Sequence, residues 1–170
     1  LNLRKGITEG IIEYEINYLE KRIDHFPTSL LPKTMELVFS YNAISSSIKG
    51  FVGHFEIRNI VDHGHSINAT LLRIMDKKYL YFNSMDSSSF YYKNMGNLEL
   101  NAVDGTKKLA GLLCKKAQVY CLSDTLKPPF EVYYTDKINI RDPNANTPYV
   151  SFNNVLMEFQ LDLGYFLIQL

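Results

Sequence analysis

The chain reads as an α+β domain, with N-terminal helices packed on a mainly antiparallel β-sheet. Three observations predict it. Apolar residues recur at three- and four-residue steps through residues 1–50, the period changes to two from Phe51, and a hairpin pattern occupies Asp62 to Asp86. A chain of 170 residues with 46% hydrophobic content suits a single domain, 1–170, with a core of its own.

Thr8 is placed to cap a first helix running to Asp24, in which Ile12, Ile16, Leu19, Ile23 and Phe26 form one apolar stripe. Pro27 and Pro32 bracket a connector. Thr34 then opens a second helix to Lys49, with Leu37, Tyr41, Ile44 and Ile48 on one face and Gly50 as its stop.

From Phe51 the pattern is that of a half-buried strand, with Phe55, Ile57 and Val61 on one parity and His54, Glu56 and Arg58 on the other. His54 therefore faces solvent. Asp62-His63-Gly64 makes a turn, and the next strand starts at His65, which shares its parity with Ile67, Ala69, Leu71 and Met75 and so points toward the core. Asp76-Lys77-Lys78 closes this hairpin, and Tyr79 to Phe82 returns antiparallel.

Beyond Asn83 the sequence is loop-like, then aromatic at Phe90-Tyr91-Tyr92. A third helix is expected near 106–117, capped by Asp104 or Thr106, with Leu109, Leu112 and Leu113 inward and Cys114 near its C-terminal end. Val119–Leu122 and Phe130–Tyr134 look like strands, and Asp142 to Pro148 is a loop. Tyr149–Leu156 and Gly164–Leu170 fit strands or a short helix equally.

Charge and cysteine usage narrow the classes. Lys+Arg and Asp+Glu are equal at 18 each, so no net field attracts nucleic acid or anionic lipid. Cys114 and Cys121 are too few for a disulfide scaffold, so reduced thiols are expected. No apolar run reaches the roughly 18 residues that cross a bilayer. The chain opens at Leu1 without a signal-peptide pattern, which leaves room for sequence upstream. Asn68-Ala69-Thr70 matches a glycosylation sequon, but it falls inside a strand. His63 and His65 alternate as a metal-binding pair would, yet no third ligand stands at a matching spacing, so neither metal nor cofactor is expected.

Thiol chemistry has more behind it. A cysteine nucleophile needs a histidine to take its proton and an Asn or Asp to orient the imidazole. A histidine heading one strand and an amide ending the next, as with His65 and Asn83, would supply that pair.

Gly64-His65-Ser66, the apolar strand behind it and Tyr79-Leu80-Tyr81-Phe82-Asn83 resemble the histidine and Asn/Asp segments of papain-like cysteine peptidases, above all those that bacterial pathogens inject into host cells. The resemblance implies His65 as general base, Asn83 as its orienting partner with Asp86 as substitute, and a host protein as substrate in a reducing cytoplasm. The chain departs from that family in one respect, because no cysteine precedes His65. A second group, the ubiquitin-like-protein proteases and related acetyltransferase effectors, uses the order His, acid, Cys. Cys121 or Cys114 satisfies that order, without the Cys-Gly context of those enzymes. The function expected from sequence is therefore a cysteine-peptidase-like effector domain acting on a host protein. The alternative is a non-catalytic protein-interaction module, for which the segment Tyr91 to Leu100 and the Pro-rich loops offer aromatic anchors.

Overall fold

A computed structural model of the chain describes residues 6–22, 28–50, 53–87, 89, 92, 94–124 and 126–170. Among them there is no α-helix, and the α+β expectation gives way to an all-β architecture of three antiparallel sheets.

The largest sheet has six strands: β1 (Glu9–Glu15), β3 (Thr34–Ser40), β4 (Ala43–Gly50), β5 (Phe55–Asp62), β6 (Ile67–Ile74) and β7 (Lys77–Phe82), in the order β1-β3-β4-β5-β6-β7. A second sheet orders β8 (Leu98–Leu109), β9 (Leu112–Cys121), β10 (Phe130–Thr135) and β11 (Val155–Glu158) as β11-β10-β9-β8. The third joins β12 (Gln160–Asp162) and β13 (Phe166–Gln169) to β2 (Asn17–Lys21).

Each misread helix has a local cause. Ile12 and Ile16 lie four residues apart, a spacing that a strand and a helix both place on one face. The neighbours decide between them: Tyr14 and Ile16 are buried, whereas Glu9, Glu13 and Glu15 are exposed, which is period two. The Asp24 end of that segment lies outside the described residues. The second segment, Thr34 to Lys49, is the hairpin β3–β4, folded at Tyr41-Asn42, with Met35, Leu37, Phe39 and Ile44 buried. The third, 106–117, is split by Ala110-Gly111, both in the left-handed region at φ 46° and 80°. Two positive φ values fit the tight two-residue turn of a hairpin, here β8–β9, and not a helix.

The inner face of the six-stranded sheet can be followed row by row from the pairings. One row runs Tyr14, Met35, Ile48, Ile57, Leu72, Tyr79, and the next runs Ile12, Leu37, Ser46, Asn59, Thr70, Tyr81. Apolar residues at the β1 end pack on β11 and the segment after it. Tyr14 meets Phe159 edge-on with ring centroids 5.5 Å apart, and its hydroxyl donates to Leu156 O at 2.8 Å. Burial in this apolar setting pushes the Tyr14 phenol well above its ordinary pKa. Val61, Val119, Val132, Tyr149, Leu161 and Ile168 are fully buried. A buried aliphatic side chain of this kind contributes about 1.5–3 kcal/mol.

Toward β5 and β6 the second row turns polar. Thr70 Oγ1 donates to Asn59 Oδ1 at 3.0 Å and lies 3.0 Å from Ser89 Oγ, which in turn hydrogen-bonds Asn146. Asn68 donates to Ser84 O at 2.7 Å and to Ser87 O at 3.3 Å. β6 therefore turns its amide and hydroxyl parity inward; of the residues expected in the core Ala69 is buried, while Ile67, Leu71 and Met75 are exposed. Loop carbonyls and side chains take up most of these buried polar groups, though Asn68 Oδ1 and Asn146 Nδ2 have no hydrogen-bond partner among the described residues.

Candidate functional site

His65 does not head a strand. It sits in the turn before β6, where Ser66 has φ 55°, and its side chain is 78% exposed. Its Nδ1 lies 2.7 Å from Asp62 Oδ2, and Asp62 Oδ1 also accepts from the backbone N–H groups of Gly64 and His65. The hydrogen bond from His65, followed by these backbone N–H groups, holds the Asp62 carboxyl below its ordinary range. This is a self-contained Asp-capped turn.

Asn83 is occupied elsewhere. Its backbone N–H donates to Asn68 O at 2.8 Å, and its amide reaches Thr70 Oγ1 at 3.5 Å, so it joins the polar row and has no hydrogen bond to His65. Asp86 is exposed in the turn after β7. His63 faces Asp142, with Nε2 3.6 Å from the carboxylate. His54 is exposed, in the turn before β5 and not in the strand expected to carry it, and the sequon residue Asn68 is buried.

The thiols lie on another sheet. Cys114 and Cys121 are both free and both on β9. Cys114 is fully buried, and burial raises its pKa, the reverse of what a nucleophile needs. Cys121 is partly buried and donates to Met95 O at 3.1 Å, with Ser123 Oγ at 3.3 Å. Among the described residues no histidine hydrogen-bonds either sulfur, and no group of three His, Cys, Asp or Glu side chains is arranged to hold a metal. An all-β chain with its histidine and thiols on different sheets overturns the cysteine-peptidase-like effector reading and its thiol mechanism.

Cys121 borders a cleft of about 450 Å³ between the second and third sheets. Its charged groups are already matched. Arg22 Nη1 donates to both Asp162 oxygens, at 2.9 and 3.0 Å, and to Gly164 O, while Arg22 Nη2 donates to Glu20 at 2.8 Å. Lys127 donates to Asn94 O at 3.1 Å. The Arg22 ion pairs brace β2 against the β12–β13 turn, and among the described residues no charged group is left aimed at a ligand.

A different feature stands out at the sheet edges. An edge strand exposes unpaired N–H and C=O groups, and proteins protect such edges with charges, bulges or shortness. β1 carries Glu9, Glu13 and Glu15 along its edge. β8 has a register shift between Val103 and Thr106 and carries Glu99, Asp104, Lys107 and Lys108. β2, β11 and β12 are short, at 5, 4 and 3 residues. β7 has none of these devices past its first two residues: Lys77 and Lys78 are followed by Tyr79, Leu80, Tyr81 and Phe82, and all six are exposed.

The direction of its backbone groups follows from the register. Asn83 pairs with Asn68 through a hydrogen bond, so the alternation of an antiparallel ladder makes Tyr81–Thr70 and Tyr79–Leu72 hydrogen-bonded pairs as well. Lys78, Leu80 and Phe82 then aim their N–H and C=O groups away from β6. Among the described residues β7 has no second neighbouring strand. Part of the aromatic segment named as a binding surface lies outside the described residues, and of the rest Tyr92 and Met95 are buried core. The sequence does contain the signal for the exposed strand, an aromatic run after two lysines, but its place at an edge comes from strand order.

No protein-family model matches the chain, and no curated protein matches it. No helix among the described residues is long and apolar enough to cross a membrane.

Proposed function

We propose that the chain is a non-catalytic protein-interaction module that receives an extended segment of a partner protein on the free edge of β7. The observation that carries this reading is the β7 edge, which no described strand covers. Outward-facing backbone groups at Lys78, Leu80 and Phe82 supply the hydrogen bonds of strand addition, and Leu80 and Phe82, 52% and 72% exposed, supply apolar grip on one face. Main-chain bonds give affinity in this mode, and alternate side chains give selectivity.

The test is selection of extended peptides on the folded domain, with counter-selection on Leu80→Lys/Phe82→Lys, whose fold is checked by circular dichroism. Selected peptides should protect the amides of residues 78, 80 and 82 from hydrogen exchange and fail to bind the double variant. Peptides that bind both proteins equally, or protect other amides, would refute the proposal.

A further inference from the structure

The β7 edge is complementary to itself, and we infer that the strand it receives is β7 of a second copy, antiparallel across a two-fold axis at Leu80. The inference rests on the strand-addition reading above and names its partner.

Parity restricts the registers. Only Lys78, Leu80 and Phe82 aim backbone groups outward, so each must face another of these three for the ladder to form. With Leu80 opposite Leu80, Lys78 faces Phe82 and Tyr79 faces Tyr81. Residues 78–82 are then all paired within the strand. Moving the axis to Tyr79 sets the two Lys78 side chains on diagonal positions, where like charges repel. Moving it to Tyr81 leaves only residues 80–82 paired. The Leu80 axis alone pairs five residues while holding the lysines apart. Tyr79 and Tyr81 already stack on one face, centroids 6.5 Å apart, and two copies would continue that stack across the axis.

The self-complementary patch makes this a closed, isologous contact. The charged β1 edge favours closure too, because its glutamates discourage a head-to-tail filament. An edge this short forms a small interface beside the roughly 1,200–2,000 Å² of tight complexes, so the dimer is reversible and concentration-dependent.

The experiment is light scattering over a concentration series, with disulfide trapping in a Cys121→Ser background. Opposed Cα atoms in an antiparallel ladder lie about 4.5–5.5 Å apart, within disulfide reach. The expected result is a monomer–dimer equilibrium that Leu80→Lys shifts to monomer, a trapped Leu80→Cys dimer, and a mixed dimer from Tyr79→Cys with Tyr81→Cys. Met75→Cys, exposed in the adjoining turn, should not trap. Trapping of Tyr81→Cys alone, or assemblies beyond dimers that Leu80→Lys leaves intact, would overturn the inference. So would a monomer at every concentration with no trapped pair. In that last case peptide selection could still succeed, and only the identity of the partner would fall.

Discussion

Leu80 stands opposite Leu71 in a pair whose backbone groups do not meet, so every hydrogen-bonding group of Leu80 points off the sheet. This alternation gives the edge a direct signature. Amides of Tyr79 and Tyr81 should exchange slowly, and those of Lys78, Leu80 and Phe82 fast, in the monomeric domain. Residue-resolved hydrogen exchange at low concentration checks it, and uniform protection along residues 77–82 would mean that the edge is covered.

The aromatic return strand was legible because its hairpin is local: Asp76 and the lysines mark the turn, and the strand pairs with its immediate predecessor. The N-terminal strands were not. β1 pairs with β3 and skips β2, while β2 pairs with β13 near the other end of the chain, so neither partner is announced by a nearby turn. Local apolar spacing had to decide alone, and four-residue steps fit both templates. His65 and Asn83 were read as a pair from an assumed start of β6 at His65. The strand instead starts at Ile67, after Ser66 in the left-handed region, and Asn68 and Thr70 are the inward residues that engage Asn83, one through its backbone and one through its hydroxyl.

The Ala110-Gly111 turn separates two strands that a helical reading joined, and it predicts opposite effects at adjacent positions. Nothing lies within 4 Å of a Cβ built on Gly111, so a substitution there meets only backbone strain. Gly111→Val should lower stability by about 1–2 kcal/mol, the usual left-handed penalty for a residue with a Cβ. Ala110→Asn should raise it by a few tenths to about 1 kcal/mol, because Asn-Gly suits a turn with two positive φ values. Urea unfolding at neutral pH measures both.

Asp162 ties the third sheet to β2 and predicts an acid-sensitive contribution. Burial raises its carboxyl, but hydrogen bonds from Arg22, Gly164 and Asn94 outweigh that and leave the pKa below its ordinary 3.8. A depressed carboxyl stabilises the fold fully above the unfolded value and loses that effect as pH falls through the folded one. Asp162→Asn should therefore cost about 1–2 kcal/mol at neutral pH, discounted for the part-exposed Arg22. The gap from wild type should stay constant down to pH 3.8 and narrow below it. Thermal melts across that range read the difference, and a gap that persists unchanged in acid would show that the carboxylate charge is not its source.

The two thiols should behave as ordinary cysteines of unequal access. Cys114 is fully buried with a raised pKa, so its alkylation requires opening of the β8–β9 hairpin and should track global stability. Cys121 borders an open cleft and should react first, with a rate set by its hydrogen bonds to Met95 O and Ser123. His65 lies in a turn of another sheet, tied to Asp62, so His65→Ala should leave both rates unchanged from about pH 5 to 9. Gly111→Val, which loosens the hairpin without touching either sulfur, should speed Cys114 alone. A Cys121 rate that drops in His65→Ala would reconnect histidine and thiol and reopen nucleophilic chemistry, whereas the hairpin-dependent pattern assigns both cysteines to packing.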